Sequence, residues 1–220
     1  MTDSNFLGHG EAQVLAEVLK TDSTLTVVNL KHNAIMCQHA QTLAKALMIN
    51  STLTTLHLDN NFIADNGAKA LASALRSNST LTVLNLGGNS IGDAGAKALA
   101  NALKTNSTLT ALVLKSTNIG HRGAQAIAMA LKENSTLTSL DLEGAQIKGA
   151  GAVALSEALR TNSTLVNLAL GNSVVGKRGT HALFEVLAFN STLARLSLER
   201  SYFSDEGLQL LANHSSRTRG

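Results

Sequence analysis

The chain has no proline, no tryptophan and one cysteine, and only 3% of its 220 residues are aromatic. A single cysteine excludes both a disulfide framework and a cysteine-rich zinc module. Cys37 has no paired His or Cys motif and reads as an ordinary free thiol in a reducing compartment. Scarce aromatics leave few of the usual anchors of a tight interface. Charged residues are 15% of the chain and the formal net charge is +3. That positive balance is too thin for a nucleic-acid-binding protein. No apolar run approaches the roughly 18 residues of a membrane span. The start, Met1-Thr2-Asp3-Ser4-Asn5, lacks the basic and apolar regions of a secretory signal, so a cytoplasmic protein is expected. Low charge with a mean hydropathy of +0.10 excludes a disordered tail protein.

What is abundant is leucine, 37 residues in all, and it is placed periodically. Asn-Ser-Thr-Leu begins at Asn50, Asn78, Asn106, Asn134, Asn162 and Asn190, with the variant Asp-Ser-Thr-Leu at Asp22, always 28 residues apart. The period predicts one continuous domain: residues 1–24 as an N-terminal half-repeat cap, then seven 28-residue repeats over 25–220. The Asn-Ser-Thr triplets are formal glycosylation sequons, but their fixed phase reads as a helix-to-strand turn.

One repeat shows the physics. In residues 81–86, Leu84 and Leu86 alternate with Val83 and Asn85, the period of a short strand. Residues 87–90 turn the chain, Ile91 returns to the core, and Asp93 is expected as a helix N-cap. Leu99, Leu103 and Ala96 fall on one face of a helix, with Asn106 expected to stop it in the left-handed conformation. Strands stack about 4.8 Å apart and helices about 8–10 Å apart. Stacked strand–helix units must therefore bend, with about seven parallel strands inside and about eight helices outside. In the N-terminal half-repeat, Val14, Leu15, Val18 and Leu19 are expected to cover repeat 1, with Glu11, Gln13, Glu17 and Lys20 outside.

The pattern Leu-x-x-Leu-x-Leu-x-x-Asn-x-Ile, followed by Gly-Ala-x-Ala-Leu-Ala-x-Ala-Leu, resembles the leucine-rich repeats of the ribonuclease-inhibitor type, found also in NOD-like receptors and Ran GTPase-activating proteins. The resemblance implies an α/β right-handed solenoid, a horseshoe with a parallel sheet on the concave face and helices on the convex face. It also implies that the concave sheet and the loops after the strands bind partner proteins.

The repeats differ from one another in informative places. The turn Asn of Asn33, Asn61 and Asn89 becomes Thr117, Ala145, Ser173 and Ser201. Shorter hydroxyls serving the same backbone groups explain this, or else the later turns are reshaped to meet a ligand. The expected N-cap column reads Cys37, Asp65, Asp93, His121, Gly149, Lys177, Asp205. Lys177 there opposes the helix dipole. With Arg122, Lys148 and Arg178 it forms a basic set on the loops of repeats 4–6, suited to an acidic docking site or a phosphate.

Three concave columns follow from the register. They are Val27, Thr55, Val83, Ala111, Ser139, Asn167, Arg195; then Asn29, His57, Asn85, Val113, Asp141, Ala169, Ser197; then Lys31, Asp59, Gly87, Lys115, Glu143, Gly171, Glu199. Lys31 with Asp59, and Lys115 with Glu143, are expected to pair across strands. Asp141, with Val113 and Ala169 beside it, is the preferred acidic contact. Asp141, Glu143 and Arg195 are the concave candidates, joined by His57, Asp59 and Lys115. No Walker lysine motif or Gly-x-Ser-x-Gly elbow is present, and His32, His57 and Asp59 read as surface rather than as a metal site. No metal or cofactor is expected. The resulting expectation is a non-enzymatic scaffold that binds another protein with modest affinity, and neither nucleic acid nor membrane. The alternatives are a Ran-type GTPase activator or a host-directed effector delivered into a host cytosol. Leu208, Leu210 and Leu211 near Tyr202 and Phe203 form a C-terminal edge that either caps itself or pairs weakly with a second copy.

Overall fold

The computed structural model describes residues 9–201. Within them run α1 (His9–Thr21), β1 (Val27–Asn29), α2 (Cys37–Leu47), β2 (Thr55–His57), α3 (Asp65–Leu75), β3 (Val83–Asn85), α4 (Asp93–Leu103), β4 (Ala111–Val113), α5 (His121–Leu131), β5 (Ser139–Asp141), α6 (Lys148–Leu159), β6 (Asn167–Ala169), α7 (Gly176–Leu187) and β7 (Arg195–Ser197). All seven strands form one parallel sheet in chain order. Each strand residue pairs with the one 28 places on, as in Val27 with Thr55 or Asp141 with Ala169, so the sequence period is the sheet register. The expected eighth helix, Asp205, Tyr202 and the edge built on Leu208, Leu210 and Leu211 lie outside the described residues.

The core is a stack of equivalent leucines. Leu56, Leu84, Leu112, Leu140 and Leu168 are the buried middle residues of their strands, backed by Leu58, Leu86, Leu114, Leu142 and Leu170. From the helices come Leu71, Leu99, Ile127, Leu155 and Leu183. Each such side chain contributes about 2 kcal/mol on burial. None has enough neighbours within its own repeat, so adjacent repeats supply the rest. The strands line the concave face and the helices the convex face of an α/β solenoid.

Helices approach closely because their facing positions are small. A Cβ built on Gly95 would lie 3.0 Å from Ala68 Cβ, and one on Gly123 would lie 3.0 Å from Ala96 Cβ.

The helix-to-strand turn is held by side-chain amides, not by left-handed backbone. None of the six Asn of the Asn-Ser-Thr-Leu series has a positive φ. Asn106 is 6% exposed. Its Nδ2 donates to Leu75 O of the preceding repeat at 2.7 Å, and its Oδ1 accepts from Leu109 N at 2.8 Å. The same pair of bonds recurs at Asn50, Asn78, Asn134, Asn162 and Asn190. A ladder that already satisfies these groups makes the left-handed cap unnecessary, which corrects the expectation for Asn106.

The expected N-caps are also displaced. Helices α2 to α5 begin at Cys37, Asp65, Asp93 and His121 themselves, while Gly149 and Lys177 fall inside the first turns of α6 and α7. The carboxylate of Asp93 instead serves the next repeat, where its Oδ1 accepts from Gly120 N at 2.8 Å and Gly123 N at 2.7 Å. Asp65 does the same for Gly92 and Gly95 at 2.8 and 2.9 Å. The physical reason is proximity: the first turn of one helix lies over the unsatisfied N–H groups and positive dipole end of its neighbour.

In α1, Ala12, Ala16 and Leu19 are buried and Leu15 is half-buried, but Val14 and Val18 face solvent at 65% and 40% exposure. The equivalents of Val18, namely Ala46, Ala74, Ala102 and Ala130, are buried because each has a preceding helix. Among the described residues α1 has none, so Val14 and Val18 do not cover repeat 1 as expected.

Candidate functional site

The concave face divides into two halves. In the first, Asp59 is buried, accepts from Asn85 Nδ2 at 2.9 Å and faces Lys31 Nζ at 3.8 Å. The expected Lys31–Asp59 pair is therefore present, and it engages the Asp59 carboxylate within the sheet. His57 lies on the neighbouring column with its Nδ1 buried and without a hydrogen-bond partner. No group of three His, Cys, Asp or Glu side chains is arranged to hold a metal ion among the described residues.

In the second half, Asp141, Asn167 and Arg195 stand on β5, β6 and β7 and line one groove of about 420 Å³, with Ser139 and Ser197. Arg195 is exposed. Burial raises the Asp141 carboxyl from its ordinary value. The Glu143 N–H, donating to Asp141 Oδ1 at 2.9 Å, works against that rise. The Glu143 charge adds to the rise and the Lys115 charge opposes it. The structure thus brings together two of the concave candidates, Asp141 and Arg195. Asn167 and its serine neighbours were legible only as members of the columns.

The expected Lys115–Glu143 ion pair does not form among the described residues. Glu143 Oε1 accepts from Asn172 Nδ2 at 2.8 Å instead, because the amide of the next exit turn reaches it across one repeat. Lys115 is exposed at the exit of β4.

The four basic candidates all lie on the strand-exit side, at the first turns of their helices, and all are exposed: Arg122 on α5, Lys148 on α6, Lys177 and Arg178 on α7. The turns beneath them differ from the earlier ones. Asn61 Oδ1 accepts from Asn33 N and Ile35 N at 2.9 Å each, and Asn89 Oδ1 accepts from Ile63 N at 2.9 Å. At the same register Thr117 Oγ1 donates to Leu114 O at 2.7 Å, and Ser173 Oγ donates to Ala145 O at 3.0 Å. The hydroxyls serve carbonyls, whereas Ala145 has no polar side chain at all. On the exit loops Phe62 is 64% exposed, an apolar contact available at the first half of the rim.

No helix among the described residues is long and apolar enough to cross a membrane. The sequence matches the family model described as TMOD/LMOD Leucine-rich domain in two overlapping segments, residues 11–118 and 96–199. No curated protein matches the chain at a significant level. Among solved structures, a Caenorhabditis elegans tropomodulin C-terminal domain is similar at 20% identity and a TM-score of 0.58, over 69% of this chain and 93% of that one. A structure titled leiomodin-1 actin-binding site 2 aligns at 20% identity and a TM-score of 0.45, over 96% of this chain and 92% of that one.

Proposed function

We propose, for a chain that belongs to the TMOD/LMOD leucine-rich domain family, that it is a non-enzymatic scaffold whose concave sheet and strand-exit loops bind a partner protein. The observation that carries the reading is the groove across β5–β7. There Asp141 and Arg195 present opposite charges, while the other two candidate carboxylates, Asp59 and Glu143, accept from Asn85 and Asn172. A partner brings a cation to Asp141 and an anion to Arg195, a complementarity that sets register and orientation. Glu143 and Lys115 stand at the strand exits on its near side, His57 lies three strands away on β2, and Arg122, Lys148, Lys177 and Arg178 extend the surface onto the first turns of α5, α6 and α7. With no tryptophan in the chain, contact is polar and affinity modest. The matched family model is described as a TMOD/LMOD leucine-rich domain and gives the Ran-type GTPase-activator alternative no support, so it is not carried forward.

Affinity capture with quantitative mass spectrometry tests the proposal. The native chain and an Asp141→Arg, Arg195→Glu double variant are compared as immobilised baits. Purified actin is one prey, and a cell lysate supplies others. A partner retained by the native chain and lost by the variant supports the concave assignment. Equal retention by both contradicts it.

A further inference from the structure

The exit turns of repeats 5 and 6 depart from the rest in backbone as well as in sequence. Every repeat places one residue in the left-handed region at a common register: His32, Asn60, Gly88, Ser116, Gly144, Asn172 and Arg200. Repeat 1 adds a second at Ala34, and among the described residues repeats 5 and 6 alone add one at the first residues of α6 and α7, Lys148 with φ 52° and Gly176 with φ 63°. Two devices that hold the turns of repeats 2 and 3 are missing here. The turn Asn is replaced by Ala145 and Ser173. The carboxylate that Asp65 and Asp93 offer to the next helix is replaced by His121, Gly149 and Lys177.

The doubled turn leaves a depression of about 460 Å³ between the two repeats. Gly144, Ala145, Gly149, Val174 and Gly176 form much of its wall, and Val174 is 57% exposed. Lys148 is in its wall, Lys177 and Arg178 directly follow the lining residue Gly176 in the first turn of α7, and Arg122 occupies the register of Arg178 two repeats earlier. Residues 143–149 and 171–178 contain one carboxylate, Glu143, and Asn172 Nδ2 donates to it at 2.8 Å.

We propose that this depression docks a short acidic segment of a partner protein that carries one apolar side chain. The apolar side chain seats against Val174 and the glycines, while its flanking carboxylates face Lys148, Lys177 and Arg178. Charge complementarity selects the occupant: the border is cationic, and an apolar wall is covered by a side chain but left wet by a phosphate backbone. The inference rests on the reading of the strand-exit side as a protein-binding surface, and it names the chemistry that this part of the surface takes.

Fluorescence anisotropy with three labelled nonapeptides tests it. One has glutamates flanking a central leucine, one has lysines in place of the glutamates, and one has glycine in place of the leucine. The Glu/Leu peptide is expected to bind the native chain about tenfold more tightly than either of the others. Val174→Asp and Arg178→Glu are each expected to weaken it by about tenfold. Both side chains are exposed, so the fold is retained, and circular dichroism checks this. Lys97→Glu, at an exposed position of α4, is expected to leave peptide binding unchanged. The proposal is overturned if the three peptides bind alike or if neither exit-loop variant weakens the Glu/Leu peptide. It is also overturned if a single-stranded oligonucleotide or an anionic phospholipid vesicle binds the native chain more tightly than that peptide does. Peptide binding with full partner capture by the concave double variant upholds this inference while removing the concave one. Absent peptide binding with capture lost in that variant removes this inference alone.

Discussion

Asn106 ties two repeats together through one side chain, and most of its value lies in the groups it satisfies. Replacing it with alanine leaves Leu75 O and Leu109 N, both in buried surroundings, without their partner. At about 1–3 kcal/mol for each orphaned group, Asn106→Ala is expected to cost about 3 kcal/mol in urea denaturation. An unchanged midpoint would mean that water takes over both bonds. The sequence placed this Asn at the right turn but assigned it the wrong device, because a 28-residue period does not say that an amide reaches into the preceding repeat. Asp22 stands in for the Asn in the first turn, and hydrogen bonds from the Leu25 and Thr24 N–H groups hold its carboxyl below the ordinary value. A lowered folded pKa contributes stability that is lost as pH falls through it. Asp141 has the opposite sign. Its raised pKa means that the folded chain binds the proton more readily than the unfolded chain does, so stability falls as pH rises through the folded value. Asp141→Asn keeps an acceptor for Glu143 N and removes the ionisation. Its Tm is expected to exceed the native Tm at pH 7, and the difference to close below the ordinary aspartate value of 3.8. A difference independent of pH would assign the gain to packing.

At the scale of the helix, close stacking and shared caps decide stability. A Cβ on Gly123 would stand 2.8 Å from Asp93 Oδ1, 2.8 Å from Ile119 Cγ2 and 3.0 Å from Ala96 Cβ. Overpacking of this kind costs about 1–3 kcal/mol, against roughly 0.5–1 kcal/mol gained by replacing a helical glycine. Gly123→Ala is therefore expected to lose about 1 kcal/mol net. Gly10, in α1, has nothing within 4 Å of its built Cβ among the described residues. Gly10→Ala is expected to gain about 0.5 kcal/mol. Thermal melts of the pair check the sign directly, and a loss in both would point away from inter-helix contact as the cause. The in-phase recurrence of Ala along the helices is legible in the sequence. The role of Asp93 was not, because capping rules are written for a helix and its own first turn, whereas this carboxylate acts on the helix 28 residues on. The same limit explains Val14 and Val18: periodicity places them on a helix but cannot say on which side the neighbour is missing.

For the whole molecule, the fold was legible because every repeat votes for it. The leucine columns, the turn amides and the helical alanines recur in phase, so a single ambiguous segment cannot change the register. The binding surface is less legible for the complementary reason: it is made of the positions where the repeats disagree, and disagreement carries no period. Column reading did bring Asp141 and Arg195 to the same face, and the structure adds that they line one groove with Asn167. Column reading paired Asp59 with Lys31, but it could not show that Asn85 also engages the Asp59 carboxylate, or that Glu143 turns toward Asn172. The β5–β7 groove is the proposed partner-binding surface. Titration calorimetry of a captured partner against the native chain and the Asp141→Arg, Arg195→Glu variant measures it most directly. The two reversals together are expected to weaken binding by about 2–5 kcal/mol, with the variant's urea midpoint close to native. Native-like affinity in a folded variant would contradict the claim.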